Sequence, residues 1–80
     1  MIEQKLIDMI AKTLRVDADR ITEESGIGNP PEWDSLAQLN LILAVEDSFG
    51  VRFATAEIPE LNSVTALQRA LQEKGVMDSA

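Results

Sequence analysis

The chain has 80 residues, 45% of them hydrophobic, a formal net charge of −7, and neither cysteine nor histidine. That is enough apolar material for one small domain and too much for a disordered chain; such a domain buries about 60% of its extended surface on folding. The missing residue types exclude disulfides, thiol or imidazole catalysis, and zinc sites built on those groups.

In chain order, Met1-Ile2-Glu3-Gln4-Lys5 has neither the basic opening nor the apolar core of a signal peptide. Ile2, Leu6, Met9, Ile10, Thr13 and Leu14 recur at helical spacing, so a first amphipathic helix is expected to end near Val16. Residues 17–34 read as a long loop, because Asp17, Asp19, Ser25, Gly26, Gly28, Asn29, Pro30 and Pro31 disfavour regular structure. Loops of this length in compact domains are functional or tied down, and Ile21 and Ile27 are the expected anchors. Trp33 is a further apolar anchor for the loop. The acids Asp17, Asp19, Glu23 and Glu24 lack the ligand spacing of a calcium loop, and no metal site is expected.

A second helix is expected over residues 35–49, stopped by Gly50. On its wheel Leu39, Ile42, Val45 and Phe49 form the expected buried face, with Leu41 beside it. The opposite stripe is Leu36, Asn40, Leu43 and Asp47, whose two leucines are either the edge of the core or an exposed docking strip. The nearly apolar run from Leu39 to Val45 is too short to cross a bilayer, and a soluble, cytoplasmic protein is expected. Val51, Phe53 and Ile58 accompany a loop and a short third helix limited by Pro59. Asn62 or Ser63 then caps a last helix through Val64, Leu67, Ala70 and Leu71, closed by Gly75. A single domain over 1–76 and a flexible tail over 77–80 complete the expectation.

The residues around Glu32-Trp33-Asp34-Ser35-Leu36 concentrate the chemical interest. Residues 17–60 hold ten acids against Arg20 and Arg52, a balance of −8, while residues 1–16 balance to +1 and 61–80 to 0. An acidic field around Ser35 repels nucleic acid and anionic membranes and steers basic protein surfaces toward it. Ser35 itself has two readings. As an N-cap it would form a capping box with Gln38, its oxygen accepting the Gln38 N–H. Alternatively Asp34 is the cap, and Ser35 is the first helical residue with its hydroxyl in solvent. Two other Asp-Ser pairs are less well placed: Asp47-Ser48 lies at the negative end of the same helix, and Asp78-Ser79 lies in the tail. A hydrolase built on Ser35 is opposed by the lack of histidine and of any marked activating base.

The Asp34-Ser35-Leu36 motif resembles that of the acyl carrier proteins. The hydrophobic residues Leu36, Leu39, Leu41, Ile42, Leu43, Val45 and Phe49, the acids Glu46 and Asp47, and Leu61-Asn62-Ser63-Val64 extend the likeness to about residues 2–75. The resemblance implies an all-α four-helix bundle with three main helices, one short helix and a long first loop. It implies a covalent 4′-phosphopantetheine arm on Ser35 beside Asp34, installed by a phosphopantetheinyl transferase with coenzyme A and Mg²⁺. It further implies a monomeric carrier, not an enzyme, that docks on acyl-loading and acyl-processing enzymes through Leu36, Asn40, Leu43, Glu46 and Asp47. Ala44, Val45, Phe49, Phe53, Ile58 and Ala66 would be the walls around a sequestered chain, and ordinary core packing accounts for them equally well. Asn40 replaces the glutamate of many fatty-acid carriers, and Trp33 a small or aliphatic residue; both point toward a carrier of a specialised pathway. The competing reading is an unmodified acidic interaction module in which Ser35 is only a cap.

Overall fold

A computed structural model describes residues 3–77 as an all-helical fold, with no strand among them. Helix α1 spans Gln4–Leu14, α2 Ser35–Phe49 and α3 Val64–Glu73; single 3-10 turns occupy Ala18–Arg20 and Ile58–Glu60. Leu6, Ile10 and Leu14 of α1 meet Leu41, Ile42 and Val45 of α2 and Val64, Leu67 and Leu71 of α3 in one core. The connections add Ile21, Trp33, Phe53 and Leu61 to it. Their spacings of three and four residues place each set on one stripe of its helix.

The ends follow local chemistry. Arg15 closes α1 in the left-handed region (φ 61°), where its N–H reaches the Ala11 and Lys12 carbonyls. Gly50 closes α2 in the same conformation at φ 65°, where a missing Cβ removes the steric penalty. Ser63 caps α3, its Oγ accepting the Ala66 N–H at 3.1 Å. The short third helix expected between Val51 and Pro59 is reduced to the one 3-10 turn at Ile58–Glu60. Pro59 lies in that turn without an N–H to give, and the Glu57 carboxylate takes the Ala54 N–H at 2.9 Å. Three α-helices therefore make the bundle.

The long loop is stitched to the approach to α3. Ile27 donates to the Asn62 carbonyl, and Val64 to that of Ser25, each at 3.0 Å. The Thr65 hydroxyl donates to the Glu23 carbonyl at 2.9 Å. Gly26 is required here, since a Cβ would lie 2.7 Å from the Asn62 oxygen. Ile21 anchors the loop as expected, whereas Ile27 does not: its side chain is 49% exposed. Ile27 sits in a turn between Gly26 and Asn29, so its backbone makes the attachment and its side chain points away. Trp33, fully buried, is the second apolar anchor.

The phase of α2 also differs from expectation. Leu39 is 57% exposed, and Leu41 is completely buried. The inward face is Gln38, Leu41, Ile42 and Val45, with Phe49 half-buried at its end under the Lys5 ammonium, 4.6 Å from the ring centre. With large apolar residues around most of the helix, periodicity alone does not mark the inward side. Met77, expected in a tail, packs against the core; Ile2 and residues 78–80, including Asp78-Ser79, lie outside the described residues.

Candidate functional site at the start of α2

Asp34 is the N-cap. Its backbone is extended, and its Oδ1 accepts the Ala37 N–H at 2.9 Å while its carbonyl accepts the Gln38 N–H at 2.9 Å. Ser35 is thus the first helical residue, exposed, and its hydroxyl makes no hydrogen bond among the described residues. The capping box is absent, because the Gln38 amide that would close it is turned into the core. Of the two readings of Ser35, the geometry is that of Asp34 as cap and a free hydroxyl.

The N–H groups of Ser35 and Leu36 find no protein acceptor among the described residues. Free N–H groups and the positive end of the helix favour an anion there by about 0.3–1 kcal/mol. That term supplies no activation, and among the described residues no base lies within hydrogen-bond reach of the hydroxyl.

Below the serine lies a buried polar chain. The Trp33 indole Nε1–H donates to Gln38 Oε1 at 2.7 Å, and Gln38 Nε2 donates to the Leu61 carbonyl at 2.6 Å. All three residues are buried, so each polar group here needs its partner. The sequence offers Gln38 as a capping-box partner, a role that this inward placement excludes. Its spacing with Leu41, Ile42 and Val45 was the signal that places it on the inward face.

Running away from Ser35, the outer stripe carries Leu36, Asn40, Leu43 and Asp47, all exposed. Leu36 is 69% exposed and Leu43 63%; Leu39 joins them, so that three leucines form one apolar strip. Asp47 lies about 18 Å along the axis from Ser35, at 1.5 Å per residue. Glu46 is half-buried and its Oε2 accepts the Phe53 N–H at 2.9 Å, so this acid braces the chain after α2. Leu43, Glu46 and Asp47 border an open groove of about 490 Å³ with Gly50, Val51 and Arg52. Of the residues expected to wall a sequestered chain, Val45 and Phe53 are core, whereas Ala44, Phe49, Ile58 and Ala66 are half-buried.

On the other side of Trp33, the Glu32 carboxylate takes both arms of the Arg20 guanidinium at 2.8 Å each. The Arg20 hydrogen bonds hold the Glu32 carboxyl below the usual carboxylate range. Among the described residues no three acids converge on a point where a metal ion could sit. Nor is any helix there long and apolar enough to cross a membrane. No protein-family model matches the chain.

Proposed function

We propose that the protein is a carrier whose Ser35 hydroxyl accepts a 4′-phosphopantetheine arm and which presents the tethered cargo to a series of enzymes. The observation that carries this reading is the free, exposed hydroxyl at the first position of α2, left unemployed because Asp34 does the capping. The competing module reading, framed with Ser35 as the cap, loses that support because the Asp34 side chain caps α2.

In the modification step the Ser35 oxygen attacks the β-phosphate of coenzyme A. The new Oγ–P bond replaces the P–O bond to the departing adenosine 3′,5′-bisphosphate. The hydroxyl proton goes to a base of the transferase, since among the described residues no base reaches the Ser35 hydroxyl. Mg²⁺, brought with coenzyme A, offsets phosphate charge. The arm supplies the thiol, and hence the thioester chemistry, that a chain without cysteine lacks. Tethering makes each transfer quasi-intramolecular once the carrier has docked.

Leu36, Leu39 and Leu43 give partner enzymes an apolar contact, and Asn40 a neutral polar one between them. Asp34 and Asp47 mark the two ends of the strip and attract basic surfaces. Glu46 contributes its charge to the same field from its fixed position against Phe53. A carrier acting as a cytoplasmic monomer in a specialised acyl or aminoacyl pathway fits this pattern, with the neutral Asn40 at the centre selecting partners other than those of bulk fatty-acid synthesis.

Intact-mass spectrometry after incubation with coenzyme A, Mg²⁺ and a broad-specificity phosphopantetheinyl transferase tests the reading. The wild type and Ser48→Ala gain one phosphopantetheinyl group, and Ser35→Ala gains none. A folded wild type that stays unmodified beside a modified control carrier overturns it.

A further inference from the structure

We propose that Gln38 is a positioning residue for Ser35, the centre of a buried clamp that fixes how the hydroxyl is presented to the enzyme that modifies it. The inference rests on the carrier reading and adds to it a residue that does not touch the reacting atoms.

The clamp brackets the serine. Trp33 and Gln38 stand on either side of residues 34–37, and their side chains join beneath them at 2.7 Å. The Trp33 backbone is held as well: its N–H donates to the Pro30 carbonyl at 2.9 Å, and its carbonyl accepts from Gly28 at 2.8 Å. Gln38 passes the attachment on to the Leu61 carbonyl, between the 3-10 turn at Ile58–Glu60 and α3. The start of α2 is thereby tied to two separate stretches of chain.

Among residues 35–40 only Gln38 is buried; Ser35, Leu36, Leu39 and Asn40 are exposed and Ala37 is half-buried. Helix ends fray when few buried contacts hold them. A leucine or methionine at position 38 would fill the same volume without the desolvation cost of an amide. An apolar side chain, however, tolerates rotation and sliding of the first turn, whereas two hydrogen bonds at opposite ends of one amide fix its direction. The exposed leucines beside Ser35 make this control matter, because the turn that bears the nucleophile gets little hold from its own outer face.

Gln38→Met keeps the volume and removes both hydrogen bonds. The test measures kcat and KM for Ser35 phosphopantetheinylation with coenzyme A, together with amide hydrogen exchange. Control samples are the wild type and Ala11→Gly, a core-facing α1 change that weakens the fold away from the clamp. All are compared at a temperature where each is folded. The expected result for Gln38→Met is a kcat lowered about tenfold with KM within about twofold, since the docking strip is untouched. Exchange should quicken at the Ala37 and Gln38 amides but not at Lys74, and Ala11→Gly should modify at the wild-type rate. Equal kcat in Gln38→Met and wild type, or an equal loss in Ala11→Gly, overturns the inference alone. A wild type that is never modified overturns the carrier reading and this inference with it. Should Gln38→Met fail to fold, Trp33→Phe, which keeps an aromatic ring and loses the donor, decides by the same readouts.

Discussion

Helices α1 and α3 sort their residues one way, and α2 sorts them another. In α1, Leu6, Ile10 and Leu14 face inward while Lys5, Asp8 and Lys12 face water; in α3, Val64, Leu67 and Leu71 oppose Thr65, Arg69 and Glu73. Both are explained by solvation alone. Helix α2 buries an amide, Gln38, and leaves Leu36, Leu39 and Leu43 in solvent. Single exposed leucines are ordinary, but three along one strip that begins beside a free serine form a contiguous apolar surface. The difference separates residues whose placement the chain's own folding explains from residues whose placement it does not. In α2 the folding work is confined to one narrow stripe, and the remaining circumference is available for contact with other molecules.

Truncating neighbouring leucines on opposite sides of α2 should give the largest contrast in stability. Leu41→Ala should lose about 2–5 kcal/mol in a denaturant titration, from lost transfer energy and the cavity left behind. Leu39→Ala should stay within about 0.5 kcal/mol of wild type. In a domain this small the first change takes away much of the total stability. Equal losses would mean that Leu39 is part of the core and that the outer strip is shorter than described.

A smaller effect separates Asp34 from Ser35. Asp34→Ala should cost about 1 kcal/mol as a lost cap, read from thermal or denaturant unfolding. Ser35→Ala should change stability by less than half of that, because its oxygen holds no backbone N–H. If Ser35→Ala proved the costlier of the two, the hydroxyl would be serving the helix and the free-nucleophile argument would fail.

These contrasts bear on what the sequence made legible. The bounds of α2 were readable because a helix-breaking loop, the Asp34-Ser35 pair, either of which can cap, and Gly50 all mark them. The start of α3 was readable from Ser63, and its close from Gly75. The end of α1 came slightly early, since Arg15 adopts a left-handed conformation without glycine's usual signal. The phase of α2 was hidden by leucines on several faces: Leu39, expected inside, is exposed, and Leu41, expected beside the buried face, is fully buried. The expected short helix before Pro59 shrank to one turn, and Ile27 attached by its backbone where a side-chain anchor was expected. Ser35 and the stripe from Leu36 to Asp47 were legible as residues. The role of Asp34 against Ser35, and that of Gln38, required knowing which side chain turns inward. That choice depends on Trp33 and Leu61, which are 5 and 23 positions from Gln38.

The smallest expected effect concerns the outer support of the loop. Arg20 and Glu32 join the 3-10 turn at Ala18–Arg20 to the residue before Trp33, through two 2.8 Å hydrogen bonds. Their side chains are 46% and 41% exposed, so solvent and salt screen the pair. The Arg20 hydrogen bonds hold the Glu32 carboxyl below its ordinary range; its folded-state pKa is therefore below its unfolded one. A depressed carboxylate pKa gives stability that is complete above the unfolded value and disappears as pH falls through the folded one. Glu57 acts in the same direction, held down first by the Ala54 N–H and then by Lys74. The upward shift of Arg20 operates only in strong alkali. Glu32→Gln should therefore have a slightly lower Tm than wild type at neutral pH and low salt, measured by circular dichroism. That gap should narrow with added salt, and close as the pH drops through the acidic carboxylate range, where the wild-type pair is lost as well. A gap that persisted in acid would show that Glu32 supports the loop by packing instead of charge.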